Sequence, residues 1–88
     1  MEDKNKNLRS LDYSVNGTPT TVEKVNVNQP LKVSVEKALE QTGNTGRPLT
    51  DWVAKYIDQN LDISLKVEDF NFPDDAVIFL ILKSGQGG

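Results

Sequence analysis

Cysteine and histidine are both missing from the 88 residues of this sequence. Without them, disulfide bridges, thiolate nucleophiles and the usual zinc, copper and haem ligands are excluded. Positive charge is not in excess either, since ten Lys and Arg stand against thirteen Asp and Glu, a net charge of −3. Counterion release from a nucleic-acid backbone would therefore contribute little to binding of nucleic acid by this chain. We expect a chain that is not an enzyme, holds no cofactor or metal and does not bind nucleic acid.

Long apolar stretches are also missing, because no run reaches the roughly 18 residues of a membrane span. The polar segment of residues 1–9 lacks the apolar run of a signal peptide. These two absences predict a cytoplasmic protein with no membrane partner. What remains is ordinary globular usage, with 36% hydrophobic and 26% charged residues, in a length that suits one domain.

The first third of the chain predicts a β-hairpin. Apolar residues alternate from Leu11 to Val15, and Asn16-Gly17 follows directly, which is the strongest short hairpin signal. The β-branched stretch of residues 20–27 is the returning strand. Its alternation places Val22 on the opposite face from Val25, so a bulge or another edge irregularity is open there.

The spacing then changes from a period of 2 to one of 3.6, which predicts a helix that ends near Thr42. Pro30 suits its first turn and Gly43 its stop. One apolar stripe faces the sheet, formed by Leu31, Val35, Ala38, Leu39 and Thr42.

The second half of the chain predicts further strands. Residues 52–57 read as a third strand in which Trp52 and Tyr56 are interpreted as core. Residues 61–63 predict a short edge strand and residues 64–70 a capped helical turn. The continuous apolar run of residues 77–82 is typical of a central strand.

This order of elements predicts an α+β domain in which a mixed sheet of four to five strands packs on one helix, the β-grasp arrangement. We expect a flexible leader over residues 1–10, the domain over residues 11–83 and a flexible tail over residues 84–88.

The tail reads Ser84, Gly85, Gln86, Gly87 and Gly88. Because glycines lack a Cβ atom, such an end can lie extended in a narrow channel. Its nucleophile is the α-carboxylate of Gly88, which could attack the α-phosphate of ATP. The resulting acyl adenylate is activated for transfer to a thiolate and then to an amine.

From Leu11 to Gly88 the chain resembles ubiquitin, and more closely small bacterial ubiquitin-like proteins found beside activating and conjugating-type enzymes. The resemblance is carried by the Asn16-Gly17 hairpin, the helix, residues 58–70 and the apolar last strand that runs into Gly87-Gly88. It implies a protein modifier that is joined to targets by an isopeptide bond. Its implied partners are an adenylating activating enzyme, a conjugating-type enzyme, a deconjugating peptidase and target proteins.

The tail departs from the family because only Lys83 remains of the basic residues that usually precede the diglycine, which implies dedicated cognate enzymes. Two other functions stay open: a sulfur carrier that acts through a C-terminal thiocarboxylate, and a noncovalent interaction module. For partner binding we expect the exposed side of the sheet, an apolar patch of Ile78, Leu80 and Leu82 completed by Val53 and Lys55.

Overall fold

The structure, a computed structural model, describes residues 7–83. Its strands are β1 (Leu8–Val15), β2 (Thr18–Asn26), β3 (Trp52–Tyr56), β4 (Gln59–Asn60) and β5 (Val77–Leu82). Between β2 and β3 lies the helix α1 (Leu31–Gln41), and two short 3-10 helices cover Leu49–Asp51 and Val67–Phe70. The predictions made for residues 1–6 and for the tail, residues 84–88, lie outside the described residues.

The five strands form one mixed sheet in the order β2-β1-β5-β3-β4. β1 and β5 are parallel, and the other neighbouring pairs are antiparallel. β5 is the central strand, as its apolar sequence predicts. A mixed sheet with one α-helix confirms the predicted α+β class.

The hairpin between β1 and β2 contains a β-bulge, one of the two irregularities that the sequence allows between Val22 and Val25. Asn16 and Gly17 form the turn with φ angles of 50° and 90°. Leu11 pairs with Val22, but Arg9 pairs with Val25, so the register shifts by one residue. Because of this shift, Val22 and Val25 are both buried in the core despite their sequence spacing.

The predicted start of the domain at Leu11 is wrong. β1 begins at Leu8, and the Val27 amide donates a hydrogen bond to the Asn7 carbonyl at 2.9 Å. The Arg9 guanidinium donates to the carbonyls of Phe72 at 2.8 Å and Pro73 at 3.0 Å. Residues 8–10 therefore belong to the sheet rather than to a leader.

The predicted edge strand over residues 61–63 is also wrong. The edge strand is β4, two residues earlier, and it pairs with β3 through Lys55 to Asn60 and Tyr56 to Gln59. A two-residue turn of Ile57 and Asp58, with φ angles of 49° and 64°, brings the chain back sooner than expected. β3 consequently ends at Tyr56.

The core lies between α1 and one face of the sheet. Trp52 is buried and Tyr56 is partly buried against the core, which confirms their interpretation as core residues. Tyr56 also meets the Phe72 ring edge-on, with ring centroids 5.2 Å apart. The fully buried larger side chains are Tyr13, Leu11, Leu31, Ile78, Leu80, Val15, Val35 and Val67.

Candidate functional site

The two faces of β5 are the reverse of the prediction. Ile78 and Leu80 are completely buried, and Leu82 is partly buried against the core. Phe79 and Ile81 are instead the exposed residues of this strand, at 48% and 39%. The expected binding role of Ile78, Leu80 and Leu82 on the exposed side of the sheet is therefore wrong.

The other two predicted binding residues do lie on the exposed side. Lys55 pairs with Phe79 and Val53 pairs with Ile81, and directly paired residues project from the same face of a sheet. On the other side of β5, Asp12 pairs with Val77. We call the resulting surface the open face, and it consists of Val53, Lys55, Val77, Phe79 and Ile81.

The sequence of β5 contains no signal that distinguishes the two faces of the strand. A continuous apolar run has no period of 2, so its sequence does not indicate which residues point inward. The neighbouring strand β1 does carry this information, because Leu11, Tyr13 and Val15 alternate with the polar residues Asp12 and Ser14. The register of β5 on β1, with Tyr13 beside Ile78, would have identified the open face.

Directly after β5, the backbone is hydrogen-bonded to the segment that precedes β3. The Lys83 amide donates a hydrogen bond to the Asp51 carbonyl at 2.8 Å, directly after β5. The Asp51 side chain lies 3.6 Å from the Arg47 guanidinium. Arg47, Asp51, Leu82 and Lys83 line a shallow groove at this point. The predicted conjugation residues Gly87 and Gly88 and the tail residues Ser84, Gly85 and Gln86 lie outside the described residues.

Other kinds of site find no support in the part of the chain that is described. Over residues 7–83, no three acidic side chains are grouped so that they could hold a metal ion. The helix α1, with 11 residues, is too short to cross a membrane, and no other helix within those residues is long and apolar enough to do so.

Comparison with known proteins identifies the family. The family described as "Protein of Unknown function (DUF2604)" matches residues 4–88. The chain belongs to this family. An uncharacterized protein of Sinorhizobium fredii, y4jI, is 45% identical over 75 residues, which are 84% of this chain. The chain spans 57% of the length of that relative.

Solved structures place the fold among ubiquitin-like proteins. Ubiquitin from Caldiarchaeum subterraneum is similar with a TM-score of 0.70 and 17% identity, over 91% of this chain and 99% of the ubiquitin. A de novo designed protein based on ubiquitin is similar with a TM-score of 0.65 and 23% identity, over 90% of this chain and 95% of the design. The predicted β-grasp fold is confirmed, and the chain is ubiquitin-like in its fold.

Proposed function

We propose that this chain is a bacterial ubiquitin-like modifier, conjugated to amines of target proteins through the carboxylate of Gly88. The observation that carries the proposal is the combination of a ubiquitin-like fold with Gly87-Gly88, the fifth and sixth residues after the end of the central strand at Leu82. The proposal requires Gly88 to be the free end of the chain, either as encoded or after processing.

The chemistry needs only the carboxylate from this chain. A Gly88 carboxylate oxygen attacks the α-phosphorus of ATP, and pyrophosphate leaves. A thiolate of the activating enzyme then attacks the acyl carbon, and AMP leaves. After transfer to a conjugating-type enzyme, the target amine attacks the thioester, loses a proton and releases the thiolate. The partners must supply every thiolate, because this sequence has no cysteine.

The fixed position of Lys83 supports this role. Its hydrogen bond to Asp51 holds Lys83 at the end of β5, so a partner that binds the domain meets the point from which residues 84–88 continue. A deconjugating peptidase would approach the same segment.

A second candidate function is noncovalent binding through the open face. Its support is the exposure of Phe79 and Ile81 on the central strand, where a monomer normally presents few large apolar side chains. This function does not need Gly88, so the two candidates are separable by one deletion.

The test is mass spectrometry on extracts of the native bacterium, whose cells express the untagged protein. Cells that express the chain without Gly88 are the matched control. Trypsin cleaves after Lys83 and leaves residues 84–88 as a branch on each modified lysine. We expect this branch on other proteins in the wild-type extract and its absence in the deletion. The intact mass of the free protein shows whether Gly88 is its last residue.

Two outcomes would contradict the proposal. An intact chain in which sulfur replaces one terminal oxygen, without any branched peptide, would make the protein a sulfur carrier. Full cellular function of the Gly88 deletion, again without branched peptides, would leave noncovalent binding as the function.

A further inference from the structure

The turn between β1 and β2 places a side-chain amide next to an unhindered backbone nitrogen. Asn16 and Gly17 are both exposed to water at the tip of the hairpin. Gly17 has no side chain, and a Cβ atom placed there would meet no heavy atom within 4 Å beyond its chain neighbours. The Gly17 nitrogen can therefore act as a nucleophile towards Cγ of the preceding asparagine.

This reaction needs no reagent except water. The Gly17 nitrogen forms a bond to Cγ of Asn16 and loses its proton, while the C–N bond of the side-chain amide breaks and ammonia leaves with that proton. Water then hydrolyses the succinimide ring at either of its two carbonyl carbons. One product is aspartate. The other is isoaspartate, in which the main chain runs through Cβ and Cγ and the α-carboxylate is free.

The native turn prevents the ring from closing. The φ angles of 50° and 90° are those of a type I′ turn. In such a turn the first residue has a ψ angle of about +30°, which points the next nitrogen away from Cβ. Ring closure requires that nitrogen to lie on the same side of the Cα–C bond as Cβ. The Cα–C bond of Asn16 must therefore rotate before the residue can react.

The backbone is held on both sides of the bond that must rotate. Before it, the Asn16 amide donates a hydrogen bond to the Leu80 carbonyl on β5 at 2.8 Å. After it, Thr18 pairs with Val15 across the hairpin. Rotation about the bond moves Thr18 away from Val15, so the end of the hairpin has to open first.

The isoaspartate product changes the turn permanently. Its main chain is one carbon atom longer between Val15 and Thr18, and a two-residue turn of fixed geometry cannot absorb that atom without a change in the strand pairing. Aspartate, in contrast, keeps the normal main chain and suits the same turn, since Asp-Gly is also favoured there.

We propose that Asn16 is a self-modification site: when the β1–β2 turn opens, Asn16 loses ammonia and becomes isoaspartate, and the original turn cannot re-form. Opening of the hairpin is thus converted into a covalent change that adds one negative charge. The proposal concerns the hairpin alone and depends neither on Gly88 nor on the open face. It therefore stands or falls separately from the proposed function.

The test incubates the full-length protein at mildly alkaline pH and follows its tryptic peptide of residues 10–24 by mass spectrometry. Asn16 is the only asparagine in that peptide, which has no glutamine, so a mass gain from loss of the amide can come only from Asn16. Electron-transfer fragmentation distinguishes isoaspartate from aspartate. A synthetic peptide of the same residues gives the rate without the rest of the sheet. We expect isoaspartate in both, formed at least about tenfold more slowly in the folded chain.

Two matched valine variants test whether the turn itself controls the reaction. Val15 and Val35 are both buried, but Val15 adjoins the turn and Val35 lies on α1. Val15→Ala should raise the rate about tenfold and Val35→Ala less than about threefold, because only the first weakens the end of the hairpin. Asn16→Gly keeps a residue that accepts a positive φ and should show no mass gain.

The effect on the fold is measured on the modified fraction, which its added charge separates by anion exchange. We expect this fraction to have a lower Tm than Asn16→Asp, which carries the same charge on a normal main chain. Four results would overturn the proposal: no isoaspartate in the full-length protein, equal rates in the protein and the peptide, equal acceleration by the two valine variants, or equal Tm of the modified fraction and Asn16→Asp. Equal acceleration would assign the reaction to unfolding of the whole domain.

Discussion

At the scale of single residues, Tyr13 connects the sheet to the helix through one buried hydrogen-bond chain. Its hydroxyl lies 2.5 Å from Ser34 Oγ, and Ser34 Oγ donates to the Leu31 carbonyl at 3.0 Å. Since a serine hydroxyl has one proton, Tyr13 is the donor to Ser34. All three groups are in the core, where an unpaired polar atom is costly.

Removing the donor and removing the acceptor of the Tyr13–Ser34 hydrogen bond should lower the free energy of unfolding by unequal amounts. Tyr13→Phe loses the donor and leaves Ser34 bonded to Leu31, so we expect a loss of about 1 kcal/mol in the free energy of unfolding. Ser34→Ala leaves the Tyr13 hydroxyl buried without an acceptor and should cost more, up to about 3 kcal/mol. Urea unfolding of both variants and of the double variant measures the coupling. Equal losses in the two single variants would contradict this assignment of donor and acceptor.

Tyr13 also predicts a specific dependence on pH. Burial raises the pKa of the Tyr13 phenol well above its usual value. Above pH about 10 the unfolded chain releases this proton while the folded chain keeps it, so the free energy of unfolding falls as pH rises. Below pH about 10 the phenol is protonated in both states, so its contribution to the free energy of unfolding is fully present.

The measurement is the difference in unfolding free energy between the wild type and Tyr13→Phe, because every other titratable group is common to both. We expect this difference to be constant up to pH about 9 and then to fall by about 1.4 kcal/mol per pH unit above 10. A difference that stays constant to pH 11 would show that the phenol ionises as easily in the folded state.

At the scale of elements, β5 holds adjacent residues in opposite environments. Leu80 is fully buried between its neighbours Val15 on β1 and Ala54 on β3, and Phe79 is 48% exposed. Leu80→Ala should cost about 2 to 5 kcal/mol in the free energy of unfolding, because it leaves a cavity in the core. Phe79→Ala should cost less, about 1 kcal/mol, since about half of its surface is in water.

Chemical denaturation of the two variants decides between the observed register and its opposite. The reverse order of the two costs would mean that Leu80 faces outward, as predicted from the sequence. It would also remove the open face as a docking surface.

The elements that could be predicted from the sequence are those whose signals are local. The Asn16-Gly17 turn, the helical stripe from Leu31 and the apolar strand of residues 77–82 are predictable because each depends on its own residues. The edge strand is not predictable because Ile57, a β-branched residue, rarely takes the positive φ angle that it adopts in this two-residue turn.

The faces of β5 could not be predicted for a different reason. They depend on which strands lie beside it, and the parallel pairing with β1 joins parts of the chain that are far apart. Two of the five predicted binding residues, Val53 and Lys55, do lie on the exposed side of the sheet. The other three, on β5, face the core, because a shift of one residue along a strand moves every side chain to the opposite face.

At the scale of the whole molecule, residues before Leu11 make contacts that hold the strands of the sheet together. Arg9 links β1 to the carbonyls of Phe72 and Pro73 just ahead of β5, and Asn7 accepts a hydrogen bond from Val27. The N-terminal residues of β1 thus hold the hairpin and the central strand together. Their loss should affect the whole fold rather than one end of it.

Two shortened chains test this prediction, one of residues 7–83 and one of residues 11–83. The first keeps the core, all five strands and the Arg9 contacts, so we expect its free energy of unfolding to lie within about 1 kcal/mol of the full chain. The second loses the guanidinium bonds and the pairing of Arg9 with Val25, which should cost at least about 2 kcal/mol out of the 5 to 15 typical of a small domain. Urea unfolding followed by circular dichroism measures both. Equal stability of the two shortened chains would show that residues 8–10 are dispensable and would restore Leu11 as the boundary of the domain.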